Sequence, residues 1–181
     1  MKTIVKVPNG VLTIPAQTIT VFDKKLRMTI EEMKEILRAT RKPKGVGLAA
    51  PQVGLPLRMF LTRPKEDDPI RVFINPEIIL RSEEETDGVP DKTNKLEGCL
   101  SIDGIWGKVK RATMLTLRFQ DETGFFHEEE FSGFMATIVQ HETDHTNGIL
   151  YTHRVIEQKG KLYQTAKDEE GKEVLEELHL G

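Results

Sequence analysis

The segment His141-Glu142-Thr143-Asp144-His145 constrains this chain more than any other. Two histidines four positions apart project from one face of a helix about one turn apart, so both imidazoles can reach a single divalent cation. Glu142 lies between them in sequence, where its carboxylate can reach a water on that cation. Phe134 and Ile138 extend the helical pattern upstream, and Asn147-Gly148 supplies a stop. Two histidines packed by chance would not need the intervening glutamate.

A hydrolytic metal site keeps one position open for water or substrate, so a tetrahedral centre needs a third protein ligand. Cys99, the one cysteine of the chain, is the economical candidate. As a thiolate it is a strong ligand, and Gly98 leaves room for the backbone to approach the site closely. A lone cysteine is more often a small buried hydrophobe, and only its neighbours decide otherwise. One cysteine excludes an intrachain disulfide and fits a reducing compartment.

The chain of 181 residues has no low-complexity stretch or long polar linker, so one domain over residues 1–181 is expected. Its net charge of -3 gives no general reason to expect nucleic-acid binding. Arg38, Arg41, Lys42 and Lys44 form the one local basic run, read as a solvated helix end or a ribosome contact. No apolar run is long enough to span a bilayer, and the N-terminus lacks the apolar segment of a signal peptide; a cytoplasmic location with no membrane contact is expected.

Ile30, Met33, Ile36 and Leu37 recur at helical spacing after Thr29, which predicts a helix from Thr29 toward Thr40, ended by Pro43 and Gly45. Short apolar runs at 57–61, 72–74 and 78–80 read as separate strands, and the acidic segment 82–95 as an exposed loop. Residues 109–119 and 125–131 read as an antiparallel pair about a turn at 121–124. The tail is expected to be a hairpin turning at 168–171.

Two further segments, Glu97-Gly98-Cys99-Leu100-Ser101 and Gly45-Val46-Gly47-Leu48-Ala49-Ala50-Pro51-Gln52, join the histidine segment in a specific conjunction. In order and spacing the three resemble the signature motifs of the peptide deformylase family. The likeness runs from about Ile30 to Arg154, including Ile74-Asn75-Pro76-Glu77. Thr146, His153 and Asp103 depart from the family's usual residues but leave every candidate ligand in place. The glycine segment also fits a dinucleotide fingerprint, G-x-G-x-x-A, but residues 38–44 before it are charged and include a proline, not the apolar strand that reading requires.

The resemblance implies an α+β fold in which short antiparallel strands pack around a central helix carrying the HExxH motif, with an N-terminal helix besides. It implies that Cys99, His141 and His145 bind one divalent metal ion, typically ferrous iron, with zinc, nickel or cobalt able to occupy the same ligands. Glu142 is then the catalytic acid/base, and the Gln52 side-chain amide and Leu100 N–H donate to the developing oxyanion. Val46 and Gly47 are expected to bind an extended substrate through the main chain, and Val46, Phe134 and Ile138 to wall a methionine pocket. The implied reaction is hydrolysis of the N-formyl group from the formylmethionine of nascent polypeptides by a monomeric hydrolase acting on a linear amide. A zinc endopeptidase and a noncatalytic metal-stabilised module that binds ribosomes are the competing readings.

Overall fold

The computed structural model describes residues 3–41, 45–90 and 92–179. Helix α1 spans Lys24–Ala39, five residues earlier than Thr29 predicts, because the Asp23 side chain caps it by accepting from the Leu26 N–H at 2.9 Å. Its buried stripe is Leu26, Ile30, Met33 and Leu37, and Thr40 closes it. Pro43, assigned from sequence to its termination, lies outside the described residues.

Five strands form one antiparallel sheet in the order β1 (Gly47–Ala49), β2 (Met59–Thr62), β3 (Arg71–Arg81), β6 (Met114–Gln120) and β7 (Phe126–Ser132). Alternation along these strands divides the core in two. Leu48, Met59, Leu61 and Ile74 face α1, while Ala49, Phe60, Phe73, Leu117 and Phe131 face Ala136 and Val139 of helix α2 (Gly133–Thr146). The sheet is thus covered on both faces, and each fully buried large side chain contributes roughly 1.5–3 kcal/mol.

Two predicted strands, 72–74 and 78–80, are one strand. β3 continues through Asn75-Pro76 with register shifts, and Asn75 takes φ +51° at the bend. The Asn75 side chain repairs the disturbed ladder, accepting from Ile19 N–H and donating to Ile19 O and Gln120 Oε1. In contrast, the strand expected over 109–119 begins only at Met114, because Arg111 turns inward to buried carboxylates instead of pairing in a ladder.

The second sheet runs β4 (Glu97–Cys99), β5 (Ile102–Gly107), β8 (Leu162–Lys167), β9 (Glu173–Leu178), again antiparallel. Its last two strands are the C-terminal hairpin. Helix α3 (Tyr151–Glu157), which the sequence reading did not assign, packs on β4 and β5. Between them lies a third core cluster of Leu12, Cys99, Ile102, Val109, Leu150, Tyr151, Val155 and Leu162. Segment 82–95 is only partly the exposed loop expected: Val89 is 2% exposed. Among the described residues, no helix is long and apolar enough to cross a membrane.

Candidate metal centre

Helix α2 lies across the five-stranded sheet and ends at Asn147, with Gly148 at φ +73° continuing the chain away. Its Glu142 and His145 are buried, and His141 is nearly so. Strand β4 of the other sheet delivers Cys99 to the same point. One ligand atom from each of Cys99, His141 and His145 fits within 4.8 Å of the others, with Cys99 Sγ 3.2 Å from His145 Nε2.

The donor set suits a cation. Burial opposes ionisation of the Cys99 thiol, but His145 and then His141 beside it hold it well below the ordinary thiol range. Burial likewise opposes charge on His141, yet Cys99 and Glu97 raise it well above an ordinary imidazole. A thiolate and two imidazoles are thus drawn together around one point, where a divalent ion can take the place of the protons. Glu142 Oε2 and His145 Nδ1 are buried without a hydrogen-bond partner among the described residues. Burial raises the Glu142 carboxyl above its usual range, more than the neighbouring histidines lower it.

The glycine segment forms β1 and a short 3-10 turn (Ala50–Val53) behind Glu142. Gly47 belongs to the sheet face turned to α2, and a Cβ there would stand 2.3 Å from Glu142 Oε1. Gln52 is locked: its Oε1 accepts from Ala49 N–H at 2.9 Å, which aims Nε2 at Cys99 Sγ and Ser101 Oγ, both 3.4 Å away. Leu100 follows Cys99 in the turn out of β4, its carbonyl accepting from Lys6 Nζ at 2.6 Å. Gly98 lines the site and has a second close neighbour besides. An added Cβ would meet the Trp106 ring at 2.6 Å, so the glycine makes room for an indole.

A cavity of about 290 Å³ opens beside these groups. Val46, Gly47, Gln52, Cys99, Leu100, Phe134, Ile138, His141 and Glu142 all line it, which brings together every predicted site residue but His145, buried beneath them. Its wall also includes Val89, Lys92 and Thr137, which the sequence reading did not nominate.

Residues 1–161 match the family model described as polypeptide deformylase. The chain belongs to the peptide deformylase family. Among deformylase relatives, it is 37% identical to peptide deformylase 1 of Bacillus subtilis over 155 residues, 86% of this chain and 90% of that protein. It is 38% identical to the peptide deformylase of Borreliella burgdorferi, over 91% of this chain and 94% of that one. The crystal structure of the deformylase from Thermotoga maritima matches with a TM-score of 0.75 at 36% identity, covering 85% of this chain and 97% of that one. A deformylase from Synechococcus elongatus, solved in complex with actinonin, matches with a TM-score of 0.74 at 31% identity, over 84% and 79% of the two chains. The deformylase fold is α+β, as the motifs imply.

Behind the ligands lies a charged network that no local motif displays. Glu97 accepts from Arg111 Nε at 2.5 Å and Nη2 at 2.9 Å, and its Oε2 lies 2.9 Å from His141 Nδ1. The imidazole is thereby fixed with Nε2 turned toward Cys99. Arg111 Nη1 donates to Asp144, which also accepts from Arg154 at 2.8 Å. Burial works against charge on Glu97, but Arg111 pulls its pKa down to about 2. Glu97 lies in the cysteine motif and Asp144 between the histidines, so position alone is the signal the sequence offers for them. Tyr151 stacks on His141 with ring centroids 5.9 Å apart and donates to Ile105 O at 2.9 Å.

Each departure from the family pattern has a local partner. Thr146 donates to Thr143 O, His153 accepts from Leu150 N–H, and Asp103 pairs with Lys6 at 2.6 Å. In the basic run, Arg38 pairs with Glu35 and Arg41 with Glu66, and Lys42 and Lys44 lie outside the described residues.

Proposed function

We infer that this chain hydrolyses the N-formyl group from the formylmethionine of nascent polypeptides, releasing formate in the cytosol, and that residues 1–181 serve as one catalytic domain. The observation that carries the reading is the convergence of Cys99, His141 and His145 beside a Glu142 carboxylate oxygen that has no partner among the described residues, in a member of this family. Under this reading the three residues hold one divalent ion, ferrous iron by preference, with zinc, nickel or cobalt able to use the same donors.

A cation held there supplies Lewis acidity toward the formyl oxygen and makes a water acidic near neutral pH. Glu142 accepts the proton of the attacking water and later delivers it to the departing amine nitrogen, so the carboxylate is regenerated. As the formyl carbon becomes tetrahedral, its oxygen gains negative charge, and the Gln52 amide and Leu100 N–H donate to it. Because Ala49 holds the Gln52 carbonyl end, the amide needs little reorganisation at that moment. Val46 and Gly47 at the edge of the sheet offer main-chain groups to an extended peptide, and Val46, Phe134 and Ile138 wall the space for its methionine.

The test is formate release from formyl-Met-Ala-Ser by anaerobically purified, metal-loaded protein. Release far above that of Glu142→Ala, with no cleavage of internal bonds in an unformylated peptide, is the expected result. New amine termini from that peptide without formate would overturn the reading in favour of an endopeptidase.

A further inference from the structure

The C-terminal hairpin β8–β9 begins at Leu162, just past residue 161 where the family match ends. It extends the β4-β5 sheet, and its inner strand lies beside β5 with Ile105 opposite Gln164, Trp106 opposite Tyr163 and Gly107 opposite Leu162. Two contacts run from this pairing toward the metal centre. Trp106 Nε1 donates to Thr165 Oγ1 of the hairpin at 2.9 Å, while the far edge of the same indole covers Gly98 so closely that a Cβ would come within 2.6 Å of it. Gly98 is the middle residue of β4, between Glu97, which orients His141, and Cys99.

We propose that the hairpin, through the Thr165–Trp106–Gly98 contact, positions the strand that carries Cys99. The inference rests on Cys99 being a metal ligand. β4 has only three residues and its pairing with β5 is interrupted by a register shift between Glu97 and Cys99, so ladder hydrogen bonds alone hold it loosely. An indole edge against a bare Cα blocks displacement of β4 in that direction, because packed atoms at contact distance resist overlap steeply. The hydrogen bond to Thr165 fixes the ring orientation that does so. Tyr151, stacked on His141 and bonded to Ile105 O, ties β5 to the helix ligands as well, so one strand braces both halves of the ligand set. Trp106 and Thr165 are positioning residues: they act through Gly98 and not on the substrate.

The full chain loaded with cobalt(II) provides the test, since a thiolate on cobalt gives a charge-transfer absorption and the ion's loss to a chelator can be timed. Thr165→Val should speed cobalt loss about threefold, as expected for an exposed hydrogen bond of modest strength, and Thr165→Ser should restore the wild-type rate. Trp106→Leu should speed it on the order of tenfold and weaken the thiolate absorption. Melting of the metal-free Thr165→Val protein should match wild type, which separates positioning from general loss of fold. Wild-type cobalt-loss rates in both Thr165→Val and Trp106→Leu, or equal rates in Thr165→Val and Thr165→Ser, would overturn the proposal. Undiminished cobalt binding by Cys99→Ala would instead overturn the ligand assignment on which it rests.

Discussion

The Glu142 carboxylate rests against the bare Cα of Gly47, with Oε1 where a side chain at that position would begin. Helix α2 and strand β1 are thus fitted to each other at the point where the proposed function needs an acid/base group held without being bonded away. Gly47 has extended backbone angles that alanine also adopts, so only the volume of a methyl group distinguishes the two there.

Gly47→Ala should therefore push Glu142 aside while leaving the three metal donors in place. Turnover is expected to fall at least about 100-fold, the scale of a misplacement near 1 Å, with metal content close to wild type. Formate assay and metal analysis on one preparation check both halves.

Removing a ligand and removing the acid/base should have different signatures. Cys99→Ala is expected to lose metal and activity together, whereas Glu142→Ala should keep much of its metal and lose turnover. Equal metal contents in Cys99→Ala and wild type would remove the thiolate from the ligand set.

Arg111 is 5% exposed and neutralises two buried carboxylates, Glu97 and Asp144. Arg111→Met should cost about 3–5 kcal/mol, since it strands buried charge that the arginine had compensated. Chemical denaturation of the metal-free protein reads this. Loss below about 1 kcal/mol would mean that Arg154 and water suffice for Asp144 and that Glu97 ionises without help.

Asp121 in the β6–β7 turn accepts from Thr123 Oγ1, His127 Nε2 and the N–H groups of Thr123 and Phe125. Thr123 first and His127 next hold its carboxyl well below the usual carboxylate range. A depressed folded pKa contributes stability that is present above the unfolded value and lost as pH falls through the folded one. Wild type should accordingly lose more stability than Asp121→Asn on going from about pH 6 to pH 2.5, by no more than about 1 kcal/mol once solvent screening of this half-exposed group is allowed for. Urea midpoints at the two pH values measure it.

What could be read from sequence was whatever is encoded within a few residues. The histidine pair and its glutamate are spaced by one helical turn, so α2 and its chemistry follow from local geometry. The stripe of α1 was equally legible, although Asp23 and not Thr29 caps it. The Arg111 network joins residues 14 and 33 positions apart, and an arginine in an apolar stretch reads as an exposed strand residue until its partners are seen. β1 and β4, three residues each, have too few side chains for any periodicity; their glycines signalled close approach but not to what. Only the folded chain shows that Gly47 accommodates a carboxylate and Gly98 an indole.

Cys99 comes from the four-stranded sheet, and the histidines from a helix bedded on the five-stranded one. An ion shared among them, as the proposed function requires, would fasten the two halves of the molecule across their seam. Its affinity would then count toward the free energy of folding, so chelation would loosen the union of the sheets as well as silence the chemistry.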